Sequence, residues 1–111
     1  MLPQEVRLRK KGEFRKIYEQ GRKYYGKYLI LFVIKKAAEI NRYGIVASKK
    51  VGKAVVRNRS RRQIREIVRE TRGNMLTGND IILVIKSSAV GVPFADLQED
   101  YAALCRKARL C

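Results

Sequence analysis

Apolar positions along the chain alternate between helical and strand spacing. In GEFRKIYEQG, Phe14, Ile17 and Tyr18 stand at i, i+3 and i+4, which predicts a short helix with Gly12 near its start and Gly21 as its stop. KYLILFVIKK is β-branched and aromatic, and apolar at odd and even positions alike, so it predicts a central strand covered on both faces. AAEIN predicts a turn and RYGIVASKK a second long strand. From about Val56 to Arg72 the spacing is helical again. The loop GNMLTGND, the buried strand IILVIKS and a last helix opened by Pro93 at its first turn follow. In that helix Phe94, Leu97, Tyr101, Leu104, Cys105 and Ala108 keep helical spacing. The order, helix, two or three strands, helix, strand, helix, predicts an α+β fold with helices on a small mixed sheet. No repeat or low-complexity stretch interrupts it, and both prolines, Pro3 and Pro93, lie near segment edges, so residues 1–111 are read as one domain.

Charge narrows the partner. The 111 residues suffice for a core without disulfides or metals, yet the formal charge is +16, a lopsidedness that points to a polyanion. Residues 1–36 hold 11 basic and 3 acidic residues, residues 49–72 hold 10 and 2, and the remainder holds 5 and 5. Two segments therefore carry all of the excess.

On a helical wheel, Val56, Ser60, Ile64, Ile67, Val68 and Thr71 fall within about 120° and form a face to bury. Arg57, Arg61, Arg65 and Arg72 share the neighbouring ridge, with Asn58, Arg62 and Arg69 just beyond it, while Glu66 and Glu70 lie on the far flank with Arg59 between them and Arg62. Like charges at i, i+4 repel, and a merely solvated face would interleave Glu with Lys, so this arc is built for an anion. Arginine rather than lysine suits bidentate contact with phosphate.

The block SKKVGKAVVRNRSRRQIRE, with Arg57-Asn58-Arg59 at its centre, resembles the signature of the bacterial ribonuclease P protein component. The resemblance runs from about Arg7 to Arg106 and takes in RLRKKGEFRKIYEQG, YGIVASKK and GNDIILVIK in order. It implies a small mixed four-stranded sheet with three helices, in the order αβββαβα, and a left-handed βαβ crossover against the usual hand. It also implies a subunit of a ribonucleoprotein enzyme whose RNA, using Mg2+, removes the 5′ leader of precursor tRNA. By position, Lys49, Lys50, Lys53, Arg57, Asn58, Arg59, Arg61, Arg62 and Arg65 are the set expected on the ribonuclease P RNA.

The N-terminal charge has its own logic. Phe14 and Tyr18, one turn apart, stand among Arg15, Lys16, Arg22 and Lys23, and rings among cations are how sequence-tolerant single-strand sites work. Two core aromatics would give the same spacing. The resemblance favours a leader-binding cleft between the first helix and the sheet, lined by Phe14, Arg15, Lys16 and Tyr18. Where the family often offers a third ring from the adjoining strand, alignment gives Leu31, and Phe32 would face the other side of the sheet. A one-residue slip after Gly21 would put Phe32 in that place.

The chain has no histidine to shuttle protons or complete a zinc set with Cys105 and Cys111, and Gly52-Lys53 lacks P-loop spacing. Asp96, Glu99 and Asp100 on the last helix are expected to be solvated. No catalytic residue and no protein-bound metal are therefore expected, the cofactor being Mg2+ acting through the RNA. The opening MLPQEVRLRKKGEF has no apolar signal core and the apolar run from Tyr28 to Ile34 is too short to span a bilayer, so a cytoplasmic protein with no membrane or DNA partner is expected. A structural protein of the ribosome and a DNA-binding module with its arginine helix in a major groove are the competing classes.

Overall fold

The computed structural model describes residues 6–36 and 39–110. Helix α1 is Lys11–Gln20, followed by strands β1 (Arg22–Tyr25), β2 (Leu29–Lys35) and β3 (Arg42–Ala47), helix α2 (Ala54–Thr71), strand β4 (Asn79–Ile85) and helix α3 (Phe94–Lys107). The sheet runs β1-β2-β4-β3, antiparallel except for β3 beside β4, which are parallel and joined across α2. Of the predicted AAEIN turn, Ala37 and Ala38 lie outside the described residues.

Strand parity sorts the side chains into two layers. Leu29, Leu31 and Val33 of β2, Ile81, Leu83 and Ile85 of β4 and Tyr43 and Ala47 of β3 face the main core, with Ile64, Ile67 and Val68 of α2 and Leu97, Tyr101, Leu104 and Cys105 of α3. Each large side chain buried there contributes about 1.5–3 kcal/mol. The other face carries Phe32, Ile34, Ile82, Val84 and Val46 and is only partly roofed, by α1 through Ile17 and Phe14 and by Leu8. A central strand apolar on both faces is what this two-layer covering requires.

Several boundaries differ from the sequence reading for local reasons. The second long strand ends at Ala47, because Lys49–Val51 form a 3-10 turn that Gly52 leaves at φ 147°, a value that favours glycine. Helix α2 starts at Ala54 rather than Val56. Pro93 is the N-cap residue, its carbonyl accepting from the Asp96 and Leu97 amides, so it stands one position outside the helix, and Ala108 lies just past the other end.

The last helix also holds a correction. Asp96 and Glu99 are exposed, but Asp100 is buried. Its carboxylate accepts the Lys27 amide at 2.9 Å and the Tyr28 and Leu29 amides at 2.9 and 3.1 Å. These are the backbone donors of the β1–β2 turn, and Gly26 packs so close that a Cβ there would stand 2.6 Å from Asp100 Oδ2. A charged acceptor with three amide donors has a partner in place of solvent, which is why this acid is inside.

Candidate nucleic-acid interface

Helix α2 turns the predicted wheel into a surface. Ser60, Ile64, Ile67 and Val68 are buried, while Lys49, Lys50, Lys53, Asn58, Arg59 and Arg62 are exposed and Arg57, Arg61 and Arg65 half-buried. Not all of these face outward unoccupied. Arg57 Nη1 donates to the Gly52 carbonyl at 3.0 Å, holding the turn that delivers Lys49, Lys50 and Lys53, and Arg61 donates to the Asn58 side-chain oxygen. Glu66 reaches from the far flank to pair with Arg69 at the border of the arc. Arg65 carries the electrostatic cost of the arrangement: burial, then the charges of Arg7, Arg61 and Arg62, hold its guanidinium below the usual arginine range. A cation disfavoured by its neighbours is one that an anion would stabilise.

On the opposite layer, α1 is pinned by charge. Glu13 of α1 pairs with Arg42 of β3 at 2.6 Å, and Arg42 donates to both oxygens of Asp80 on β4 at 3.0 and 2.9 Å. Lys36 reaches Asp80 at 2.8 Å. Burial alone would raise the Asp80 carboxyl; the hydrogen bonds and charges of Arg42 and Lys36 outweigh it and hold the group below its ordinary value. Glu13, likewise opposed by desolvation, is lowered by Arg42.

So anchored, α1 sets its rings on the sheet. Phe14 lies over Gly44 of β3, where an added Cβ would meet the ring at 2.6 Å; glycine is what lets it approach. Tyr18, 40% exposed, meets Phe32 edge to face with centroids 4.8 Å apart. An open groove of about 480 Å3 is lined by Phe14, Arg15 and Tyr18 with Arg9, Lys11 and Glu19. Three of the four residues expected in the cleft line this groove, whose walls come from α1 and the segment before it and not from a strand; Lys16, exposed on the same helix, does not line it. The position aligned with a third ring is corrected as well. Leu31 is 0% exposed in the main core, and Phe32 is the residue on the α1 side.

The two surfaces meet at the β3 edge, where a small groove of about 140 Å3 is lined by Arg7, Leu8, Phe14, Tyr43, Gly44, Ile45 and Arg65. Arg7, joined to Tyr43 by an isolated parallel bridge, was not singled out from sequence; no local pattern tells which strand an N-terminal segment will join. Lys23, named above among the cations around the rings, and Tyr25 share a face of β1, the Lys23 ammonium 4.7 Å from the Tyr25 ring centroid. Their parity in RKYY would have placed both on one face, once that tetrapeptide was recognised as a strand. Among the described residues no group of three or more His, Cys, Asp or Glu could hold a metal, and no helix is long and apolar enough to cross a membrane.

Comparison with known proteins agrees with the geometry. The profile of the family described as "Ribonuclease P" matches residues 2–109. The ribonuclease P protein component of Syntrophomonas wolfei is 38% identical over 110 residues, covering 99% of this chain and 92% of that protein. That of Natranaerobius thermophilus is 37% identical over 98% of this chain and 95% of its own length. Among solved structures, the RNase P protein of Thermotoga maritima superposes with a TM-score of 0.84 at 30% identity, covering 91% of this chain and 96% of that one. The Staphylococcus aureus protein gives 0.87 at 26% identity, over 95% and 96%. With the match running through helix, sheet and arginine block alike, the chain belongs to the ribonuclease P protein family, the protein subunit that joins ribonuclease P RNA in maturing tRNA 5′ ends.

Proposed function

We propose that the chain divides its two surfaces between two RNAs: the α2 arc and its lysine lead-in hold the ribonuclease P RNA, and the α1 groove holds the single-stranded leader of precursor tRNA. The observation that carries this reading is Phe14, which lines both the α1 groove and the small groove with Arg65. An RNA body seated on α2 would thereby deliver a strand directly onto the rings. Lys49, Lys50, Lys53, Asn58, Arg59, Arg61, Arg62 and Arg65 act by neutralising phosphates, Arg57 by holding the Gly52 turn as well. Phe14, Tyr18 and Phe32 act by stacking bases, and Arg15 by tracking the leader backbone.

Bond cleavage is assigned to the RNA subunit and the Mg2+ it binds. The buried carboxylates here do not suit a metal: Asp80 is engaged by Arg42 and Lys36, and Asp100 by three amides. The protein's contribution is binding energy directed at precursor rather than product. Reconstitution tests it: the protein added to its cognate RNA at low magnesium should restore leader removal, and no stimulation at any protein concentration would refute the assignment.

A further inference from the structure

The row of the sheet that α1 leaves partly uncovered ends in an aromatic ring. Across the strands this row is Val46, Val84, Ile30 and Tyr25, matched by register, and the first three are only half-buried. Tyr25, on edge strand β1, is 61% exposed. The adjacent row pairs Lys23 with Phe32, so Tyr25 and Phe32 are diagonal neighbours on one face. Such neighbours stand about 7–8 Å apart at the backbone, close to twice the roughly 3.4 Å rise of stacked bases. The Lys23 ammonium sits between them, 4.7 Å from the Tyr25 centroid and 5.3 Å from that of Phe32. Beyond the turn, Lys86 Nζ donates to the Gly26 carbonyl at 3.3 Å, putting a second cation on the backbone of the residue that follows Tyr25.

An exposed edge tyrosine could serve only to fill out a hairpin. A tyrosine beside a half-open apolar row, diagonal to a ring of the proposed cleft, with one lysine at its ring and another on the backbone of the next residue, has the composition of a stacking position with phosphate partners. Resting on the leader reading above, we propose that Tyr25 is a further base-stacking site, extending the single-strand track from Phe32 to the β1 edge, with Lys23 and Lys86 on the adjoining phosphates. Direction follows from topology. Arg65 and Phe14 meet at the β3 edge and Tyr25 lies on the opposite edge, so Tyr25 takes the nucleotide farthest from the arginine helix.

The test is a leader-length series of precursor tRNAs titrated against holoenzymes carrying Tyr25→Ala, Tyr25→Phe, Tyr18→Ala or no substitution. Tyr25→Ala should leave leaderless tRNA and the shortest leaders unaffected. Past a threshold length it should weaken binding roughly five- to 150-fold, and that threshold should exceed the one found for Tyr18→Ala. Tyr25→Phe, which keeps the ring, should bind like the unsubstituted enzyme. If Tyr18→Ala shows a leader-dependent loss and Tyr25→Ala matches the unsubstituted enzyme at every length, the extension is wrong and the cleft stands. If neither variant discriminates precursor from product, both are overturned. A Tyr25→Ala loss that is equal on leaderless tRNA would make the ring structural and also overturn the proposal; because the ring is largely exposed, the melting temperature should stay near that of the unsubstituted protein.

Discussion

Gly44→Ala offers a direct measure of how Phe14 is seated. An alanine Cβ would stand 2.6 and 2.7 Å from Phe14 Cε1 and Cζ, against 3.4 Å from the Leu8 methyl. Carbon atoms prefer about 3.5–4.0 Å, so the ring must shift by roughly an ångström while α1 stays fixed by Ile17 and the Glu13–Arg42 pair. Overpacking of this kind costs about 1–3 kcal/mol. In a Phe14→Ala background the obstacle is gone, and the same substitution should stabilise by about 0.5–1 kcal/mol, because alanine loses less backbone freedom than glycine in a strand. The effect therefore changes sign, with a coupling of about 1.5–4 kcal/mol across the cycle. Urea unfolding of the four proteins measures it, and precursor against mature tRNA titrations of the reconstituted holoenzymes show whether moving the ring lowers affinity for the leader alone. Equal Gly44→Ala effects in the two backgrounds would refute the placement of Phe14 on Gly44.

Tyr18→Ala should cost precursor affinity about 1–3 kcal/mol with mature tRNA unaffected and only a small drop in melting temperature, since the ring is already 40% exposed; equal loss on both RNAs would return Tyr18 to a structural role. Replacing Arg61 and Arg65 with alanine should leave the circular dichroism spectrum unchanged, leave free-protein stability equal or higher because like-charge repulsion is relieved, and flatten the salt dependence of RNA binding by about 0.7–0.9 per lost contact in log–log slope; loss of the fold would put the wrong face of α2 outward. Asp80 is held below its unfolded value, so the unfolded chain binds the proton more readily. Its stabilisation should be complete above about pH 5, and be lost as pH falls through the unfolded and then the folded value; urea midpoints against pH should show this slope, and Asp80→Asn should remove most of it.

Legibility followed the length and locality of each pattern. The apolar face of α2, the two-faced β2 and the run IILVIKS could be read from spacing, because burial of many residues in one element repeats the same signal. Strand β1 has four residues and three of them exposed, so RKYY carries no alternation to read. Parity put Leu31 and Phe32 on opposite faces, but which face α1 would roof depends on how the helix docks, through Glu13, Arg42 and Gly44, and these contacts are not local. Asp100 was misread for the same reason. A carboxylate on a helix is solvated by default, and its three donors lie 71 to 73 residues earlier in the chain.

That separation bears on when the molecule becomes complete. A two-stranded hairpin is ordinarily an early, local event, formed within microseconds. Here the Lys27, Tyr28 and Leu29 amides find their carboxylate acceptor only when α3 arrives. On a chain made from its N-terminus at about 5–20 residues per second, residue 100 follows the turn by seconds. The β1 edge, with Tyr25 and Lys23 upon it, is thus synthesised before α3 and fastened only after it. Loss of α3, though it lies on the far side of the sheet from α1, would leave that edge without its fastening.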